Sequence, residues 1–248
     1  MYIKNYHSKE LKDGICIEKP CLVAVEQTIE VYINRTPIVA ILATPEMLKE
    51  LAIGYIICEG IVKEHEEIKA LQIKDKSIYI EISNSEHLEL WRELRSSGCV
   101  GVRWDENQEI SVISDTVFKP DVIKKSLRFL ECEIYKTTHG IHTACLIDTK
   151  GECVIKAQDV GRHNTFDKVV GRACLDGIDP SKHFLLSTGR QSAGMVLKAA
   201  RANIPLVATK TAPLDSGIEA AKRSGVCLVG FVSDKKICVF THGERLRI

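Results

Sequence analysis

Three short stretches carry side chains capable of chemistry. The first is SSGCVGVRW, residues 96–104, where Cys99 stands among Gly98, Val100 and Gly101. A thiol in a glycine-rich loop is accessible and free to swing, which suits a nucleophile that must meet more than one partner. Arg95 and Arg103 lie close to it in sequence and would lower its pKa if they are also close in space. The second stretch is AQDVGRHNTFDK (157–168) and the third is STGRQSAGM (187–195). Each reads as a strand running through a polar glycine turn into a helix. Exposed N–H groups and the dipole at such helix starts favour anions. Arg162 and Arg190 add fixed, bidentate cations suited to phosphate, with about 1.5–3 kcal/mol expected for each charge-assisted hydrogen bond. Two such turns after neighbouring strands predict one pocket for a phosphorylated ligand, with ordinary capping and surface arginines as the plainer alternative.

Other groups have competing readings. His139 and His142 stand three apart in TTHGIHTA, but no third ligand lies nearby, and within a strand they face opposite sides. A hydrogen bond at a pocket rim suits at least one of them better than zinc. Asp159, His163 and Asp167 suggest an acid/base network with the imidazole oriented by a carboxylate; helix capping and a solvated charge are the alternative. Lys210 and Thr211 in TKTAPLDSG fall near the same face. Lys235 and Lys236 sit in FVSDKK, where solvated turn charges are the default. Among the ten cysteines, Cys99 differs from the other nine, which read mostly as small buried hydrophobes. No C-x-x-C pair exists, which argues against a thiolate zinc site.

The elements that position these groups follow from periodicity. CLVAVEQTIEVYINRTPIVAILAT alternates and is rich in Val and Ile, so it reads as strands punctuated at Arg35-Thr36-Pro37. Thr44 fits an N-cap with Pro45 at the first helical position, for a helix ending near Gly60. SIYIEI (77–82) and EISVIS (109–114) read as strands, and EHLELWRELRS (86–96) as a helix. A further helix, DVIKKSLRFLECEI, begins at Asp121. From about residue 137 the pattern becomes two strands joined at Thr149-Lys150-Gly151, then helix and strand in alternation. A helix runs from Gly189 through AGMVLKAARAN, and VCLVGFVSDKKICVFTHG closes the chain as a hairpin. The expectation is an α/β protein with a smaller N-terminal α+β domain over 1–120, carrying the Cys99 loop, and an α/β domain over 121–248.

The chain has 248 residues with a net charge of +1, so no global field points to nucleic acid or an anionic membrane. No apolar run approaches the roughly 20 residues of a membrane span, and the first residues lack a signal-peptide centre. A cytoplasmic location is expected.

Taken in order, TPEMLKELAIGYIICEGIV, TTHGIHTACLID, QDVGRHNTFDKVVG, STGRQSAGMVLKAARANIPLVATKTAP and LVGFV…THGERL resemble the formate dehydrogenase accessory sulfurtransferase family (FdhD/NarQ). The resemblance implies a cytidine-deaminase-like, three-layer fold in the C-terminal half. Deaminases place H-x-E and P-C-x-x-C at two helix starts; GRHN and TGRQS stand here instead, so that zinc site should be empty. The resemblance also implies a sulfur carrier working as a homodimer. Cys99 would be the catalytic residue, accepting persulfide sulfur from a cysteine desulfurase. The sulfur would pass to the molybdenum of a bis(molybdopterin guanine dinucleotide) cofactor, held as bound substrate and destined for formate dehydrogenase. Its ligand-binding turn would map to Phe231, Val232, Ser233, Asp234, Lys235 and Lys236, with His142, Gly161, Arg162, His163, Gly189 and Arg190 completing the cofactor pocket. Many members carry C-G-x-C-G where this chain reads S-G-C-V-G, which puts any relay through a second thiol in doubt. The alternative function is a cofactor-binding chaperone that moves no sulfur.

Overall fold

A computed structural model describes residues 2–62, 65–83 and 110–247. The chain starts with a hairpin of β1 (Ile3–Lys12) and β2 (Ile15–Ala24), joined at Asp13-Gly14 with φ of 52° and 79°. That is the mirror-image turn that matches strand twist, and Asp-Gly is its strongest sequence signal. Strand β1 is absent from the periodicity reading because NYHSKELK is polar along its length. Most of the hairpin is exposed.

The next sheet holds four strands in the order β4-β3-β6-β5: β3 (Gln27–Ile33), β4 (Thr36–Ala43), β5 (Ile68–Lys74) and β6 (Ser77–Ile82). Ile29, Val31, Ile33, Ile78 and Ile80 alternate onto one face and pack against Leu51, Ala52, Tyr55 and Ile56 of α1 (Leu48–Cys58). That face is the period-2 signal read from the sequence. The helix begins later than expected. Met47 occupies the N-cap position, and Thr44 is buried elsewhere as a joint described below.

The larger sheet has six strands in the order β12-β11-β10-β9-β7-β8. They are β7 (His142–Ile147), β8 (Cys153–Asp159), β9 (Phe184–Ser187), β10 (Leu206–Thr209), β11 (Cys227–Gly230) and β12 (Cys238–Val239). Strands β9, β10 and β11 are parallel, whereas β7 runs antiparallel to both β8 and β9. The helix expected from Asp121 is broken: α2 (Pro120–Ser126) tightens into a 3-10 turn at Leu127–Leu130, and α3 (Glu133–Thr138) starts afresh beyond Cys132. These pieces pack on one sheet face. On the other lie α4 (Arg162–Leu175), α5 (Ala193–Arg201) and α6 (Asp215–Ser224), over a core of Leu146, Phe166, Val169, Met195, Val196 and Leu228. The result is a layered α/β arrangement, as the alternation of elements implies, with the three layers that the family resemblance implies.

Residues 110–114 are not a strand. The Val112 N–H bonds to the Ser224 carbonyl and the Ile113 N–H to Asn203 Oδ1, so this segment crosses the ends of α5 and α6 instead of joining a ladder. The two sheets are tied together where α1 meets α4 at glycines. A Cβ on Gly54 would lie 1.7 Å from the Asp167 carbonyl oxygen, and one on Gly171 would lie 1.9 Å from that of Glu50. Only glycine allows backbones this close.

Candidate functional site

One edge of the six-stranded sheet gathers most of the residues singled out above. The carboxyl ends of β8, β9, β10 and β11 lie there, with the amino end of β7 between β8 and β9. Ligands of open α/β sheets characteristically bind at such an edge.

The D-V-G-R-H-N…D-K stretch divides into a buried half and a presented half. Asp159, at the end of β8, is fully buried. Its Oδ1 accepts from the Gly161 N–H and from Asn164 Nδ2, both at 2.8 Å. Its Oδ2 accepts from Lys168 Nζ at 2.6 Å and from the Thr44 N–H at 3.1 Å. Lys168 Nζ also donates to the Thr44 carbonyl at 3.0 Å, and Asn164 Nδ2 to the Leu42 carbonyl at 2.8 Å. Thr44 Oγ1 in turn accepts from the Val160 N–H. The reading of Thr44 as an N-cap is thereby replaced: it clamps the end of β4 to the β8–α4 turn.

Asp159 and Asp167 therefore do not form an acid/base network with His163, which hydrogen-bonds to neither among the described residues. Asp167 is paired instead with Lys198 at 2.7 Å, and Lys198 also reaches Glu59 at 2.9 Å. Burial pushes the Asp167 carboxyl up to about 6, with Lys198 opposing that shift. Burial likewise works against the Lys198 ammonium, but Asp167 and Glu59 hold its pKa above the usual lysine range. His163 is pushed down to about 4 by burial, then by Lys198 and Arg162. His142 is lowered by burial and then by Arg162. Both imidazoles are neutral at pH 7 and suited to hydrogen bonding.

Gly161 and Gly189 allow the presented half to close up. A Cβ on Gly161 would lie 2.7 Å from Asn164 Nδ2, and one on Gly189 would lie 2.9 Å from the Arg162 Cβ. The Arg162 stem thus packs against the 188–191 loop. That loop is not a helix start, since α5 begins only at Ala193. It is tied down from below: Thr209 Oγ1 and Gln191 Nε2 both donate to the Gly189 carbonyl at 2.8 Å. Thr188 Oγ1 accepts from the Thr143 N–H and contacts His142 Nδ1 at 3.2 Å. Of the two histidines, His142 makes this contact, while His139 caps α3 in the left-handed conformation. Arg162 Nε and Gln191 Oε1 are buried without a partner among the described residues. Arg162 and Arg190 repel one another, so Arg162 sits below the usual arginine range through burial and that repulsion. This arrangement is suited to an anion.

Along the same edge lies a cavity of about 580 Å³. Lys210 lines it just beyond β10, and Val232, Ser233 and Asp234 line it beyond β11. The opposite wall comes from α2, α3 and the turn between them, with Lys124, Lys125, Arg128, Cys132, Tyr135 and Lys136. Lys124 is partnered by Asp121, and Lys136 by Glu133. Lys125, Arg128 and Lys210 form no salt bridge among the described residues. The sequence reading missed this wall, although the basic run KKSLR (124–128) carried the signal. Of the 231–236 turn, Phe231, Lys235 and Lys236 do not line this cavity; the Phe231 ring lies 6.2 Å from that of Phe240, and its backbone has φ of 51°.

Cys99, Arg95, Arg103 and the expected 86–96 helix lie outside the described residues. Of the other nine cysteines, Cys58, Cys132, Cys145 and Cys227 are buried, but Cys16 is exposed and the rest are intermediate. Exposed positions on the hairpin explain why alternation alone overstates burial.

The sequence model of the FdhD/NarQ family matches residues 24–247. The chain belongs to this family. Relatives named sulfur carrier protein FdhD include one from Methanothermobacter thermautotrophicus, 34% identical, covering 82% of this chain and 83% of its own. One from Wolinella succinogenes is 33% identical and covers 94% and 85%. A crystal structure from Desulfotalea psychrophila, described as a formate dehydrogenase accessory protein, superposes with a TM-score of 0.83 at 26% identity over the whole of both chains. The fold is thus that of the FdhD/NarQ family. Among the described residues no helix is long and apolar enough to cross a membrane, and no group of three or more His, Cys, Asp or Glu could hold a metal ion.

Proposed function

We propose that this FdhD/NarQ chain carries persulfide sulfur on Cys99, received from a cysteine desulfurase. It passes that sulfur to a bis(molybdopterin guanine dinucleotide) molybdenum cofactor bound as substrate along the basic sheet edge. In this reading the sulfurtransferase works as a cytoplasmic homodimer and the sulfurated cofactor goes to formate dehydrogenase. The observation that carries the reading is the set of cations along one edge of the six-stranded sheet. Lys125, Arg128 and Lys210 surround a cavity of ligand size, and Arg162 and Arg190 stand on the same edge. From β11 to β8 this edge spans four strand intervals, about 19 Å. That length suits a ligand with several separated phosphates. The neutral imidazoles of His142 and His163 leave the arginines as the charges an anion meets.

The sulfur step asks only for a thiolate able to reach two partners. The Cys99 thiolate would attack the outer sulfur of the desulfurase persulfide and expel the desulfurase thiolate; that sulfur would then pass to the cofactor at the sulfur(0) level, leaving the Cys99 thiolate, with the substrate metal supplying the two electrons that make it a sulfido ligand. Cys99→Ala tests this directly. Expected are loss of client formate dehydrogenase activity, loss of the one-sulfur mass gain on incubation with desulfurase and cysteine, and unchanged guanine nucleotide binding. An active client in the presence of Cys99→Ala overturns the carrier role. Nucleotide binding with no sulfur adduct on the unaltered chain would favour the chaperone instead.

A further inference from the structure

Thr209 ends β10 and is fully buried beneath the basic edge, next to Ser187 at the end of β9. Its hydroxyl has one proton to give and two lone pairs. On one side it reaches the Gly189 carbonyl at 2.8 Å and the Ser187 carbonyl at 3.1 Å. On the other side the Thr211 N–H donates to it at 3.1 Å, and Thr211 Oγ1 lies at 2.9 Å. With its proton directed at the nearer carbonyl, that of Gly189, Thr209 accepts both from Thr211. One hydroxyl thus joins the residue before Arg190 to the residue after Lys210. The residue after Arg190 is held as well, since the Gln191 N–H donates to the Ala212 carbonyl at 3.2 Å. The 231–236 turn joins the same body: the Val232 N–H bonds to the Thr209 carbonyl and the Phe231 N–H to that of Thr211. Arg190 and Lys210 are themselves exposed.

We propose that Thr209 is a positioning residue for ligand binding: its hydroxyl locks the loop carrying Arg190 to the loop carrying Lys210, so that both cations are in place before a phosphate arrives. The inference rests on the reading of this edge as a site for nucleotide phosphates. Being fully buried, Thr209 acts through the two loops and not by touching the ligand. The gain is preorganisation, because a loop already fixed in its bound geometry loses less freedom when the ligand binds. Valine keeps the shape of threonine and removes only the hydroxyl. In Thr209→Val the Gly189 carbonyl keeps its bond from Gln191 Nε2, but the Thr211 N–H loses its acceptor and the side-chain link between the loops is gone.

The test is calorimetric titration of the full chain with guanosine diphosphate. Thr209→Val is expected to weaken binding about tenfold, and Thr209→Ser, which keeps the hydroxyl, to bind within about twofold of the parent chain. Lys210→Ala and Arg190→Ala are each expected to cost less affinity in the Thr209→Val background than in the parent, because the cation removed is already out of place. Equal costs in both backgrounds overturn the proposal, since Thr209 then acts on stability alone. Amide exchange in the unaltered chain supplies a readout that needs no variant to fold. Guanosine diphosphate is expected to slow the Gly189 and Thr211 amides together, one on each loop. Slowing confined to one loop overturns the lock. Affinity that ignores Lys210→Ala, Arg190→Ala and Thr209→Val alike overturns the nucleotide reading and this inference with it. Affinity that responds to either cation but not to Thr209→Val overturns this inference alone.

Discussion

Lys168 Nζ and Asp159 Oδ2 meet at 2.6 Å with neither side chain exposed, and both also hold Thr44 from the opposite end of the chain. This pair fixes the joint on which Arg162 is presented. A buried ion pair adds little over a well-packed apolar pair, but losing one partner strands the other charge. Lys168→Met is therefore expected to cost about 3–5 kcal/mol in urea unfolding. The double variant Lys168→Met/Asp159→Asn is expected to cost less than the sum of its single changes. Additive losses would show that the two side chains act independently. The Thr44 amide, donor to Asp159, is expected to lose hydrogen-exchange protection in Asp159→Asn.

A second expectation concerns pH, where the partly buried His163 and the buried Asp167 work against each other. His163 has its folded pKa depressed from 6.5 to about 4. The unfolded chain binds the proton more readily in that window, so this contribution to stability is present above pH 6.5 and is lost as the pH falls toward 4. Asp167 is raised from 3.8 to about 6, so its contribution runs the other way: full below 3.8 and lost as the pH rises through 6. His163→Gln removes the first and leaves the second. Between pH 6.5 and 4 the variant is expected to lose less stability than the parent chain, by up to about 3 kcal/mol. Equal losses in the two proteins, measured by urea midpoints across that range, would show that His163 titrates as it does in water.

How much of this was legible beforehand depended on where the signal lay. Apolar alternation in QTIEVYI and SIYIEI revealed β3 and β6, and β–α alternation after residue 137 revealed the six-stranded sheet. Glycine turns and arginines marked the edge where Arg162 and Arg190 stand. Long-range partners were not legible. Thr44 reads locally as a cap, and only the fold brings it to Asp159 from 115 residues away. Asp167 reads as a solvated first-turn charge until Lys198 arrives from α5 and Glu59 from beyond α1. The cavity wall of α2 and α3 was hidden for a similar reason: KKSLRFLECEI suggests one continuous helix, whereas the chain breaks it around Cys132.

The basic cavity offers the most direct check on ligand chemistry. Lys210 and Arg128 line it from opposite walls, at the end of β10 and beside α2, and neither supports the core. Removing one cation should cost one charge-assisted hydrogen bond to phosphate, about 1.5–3 kcal/mol, or roughly 10- to 100-fold in affinity. Lys210→Ala and Arg128→Ala are each expected to weaken guanosine diphosphate binding by that factor in calorimetry, with unfolding midpoints unchanged. Binding should also weaken with added salt, and less steeply in each variant than in the parent chain. A nucleotide whose affinity ignores both substitutions and salt would have to bind elsewhere. Arg162→Ala would then distinguish the other end of the same edge as its site.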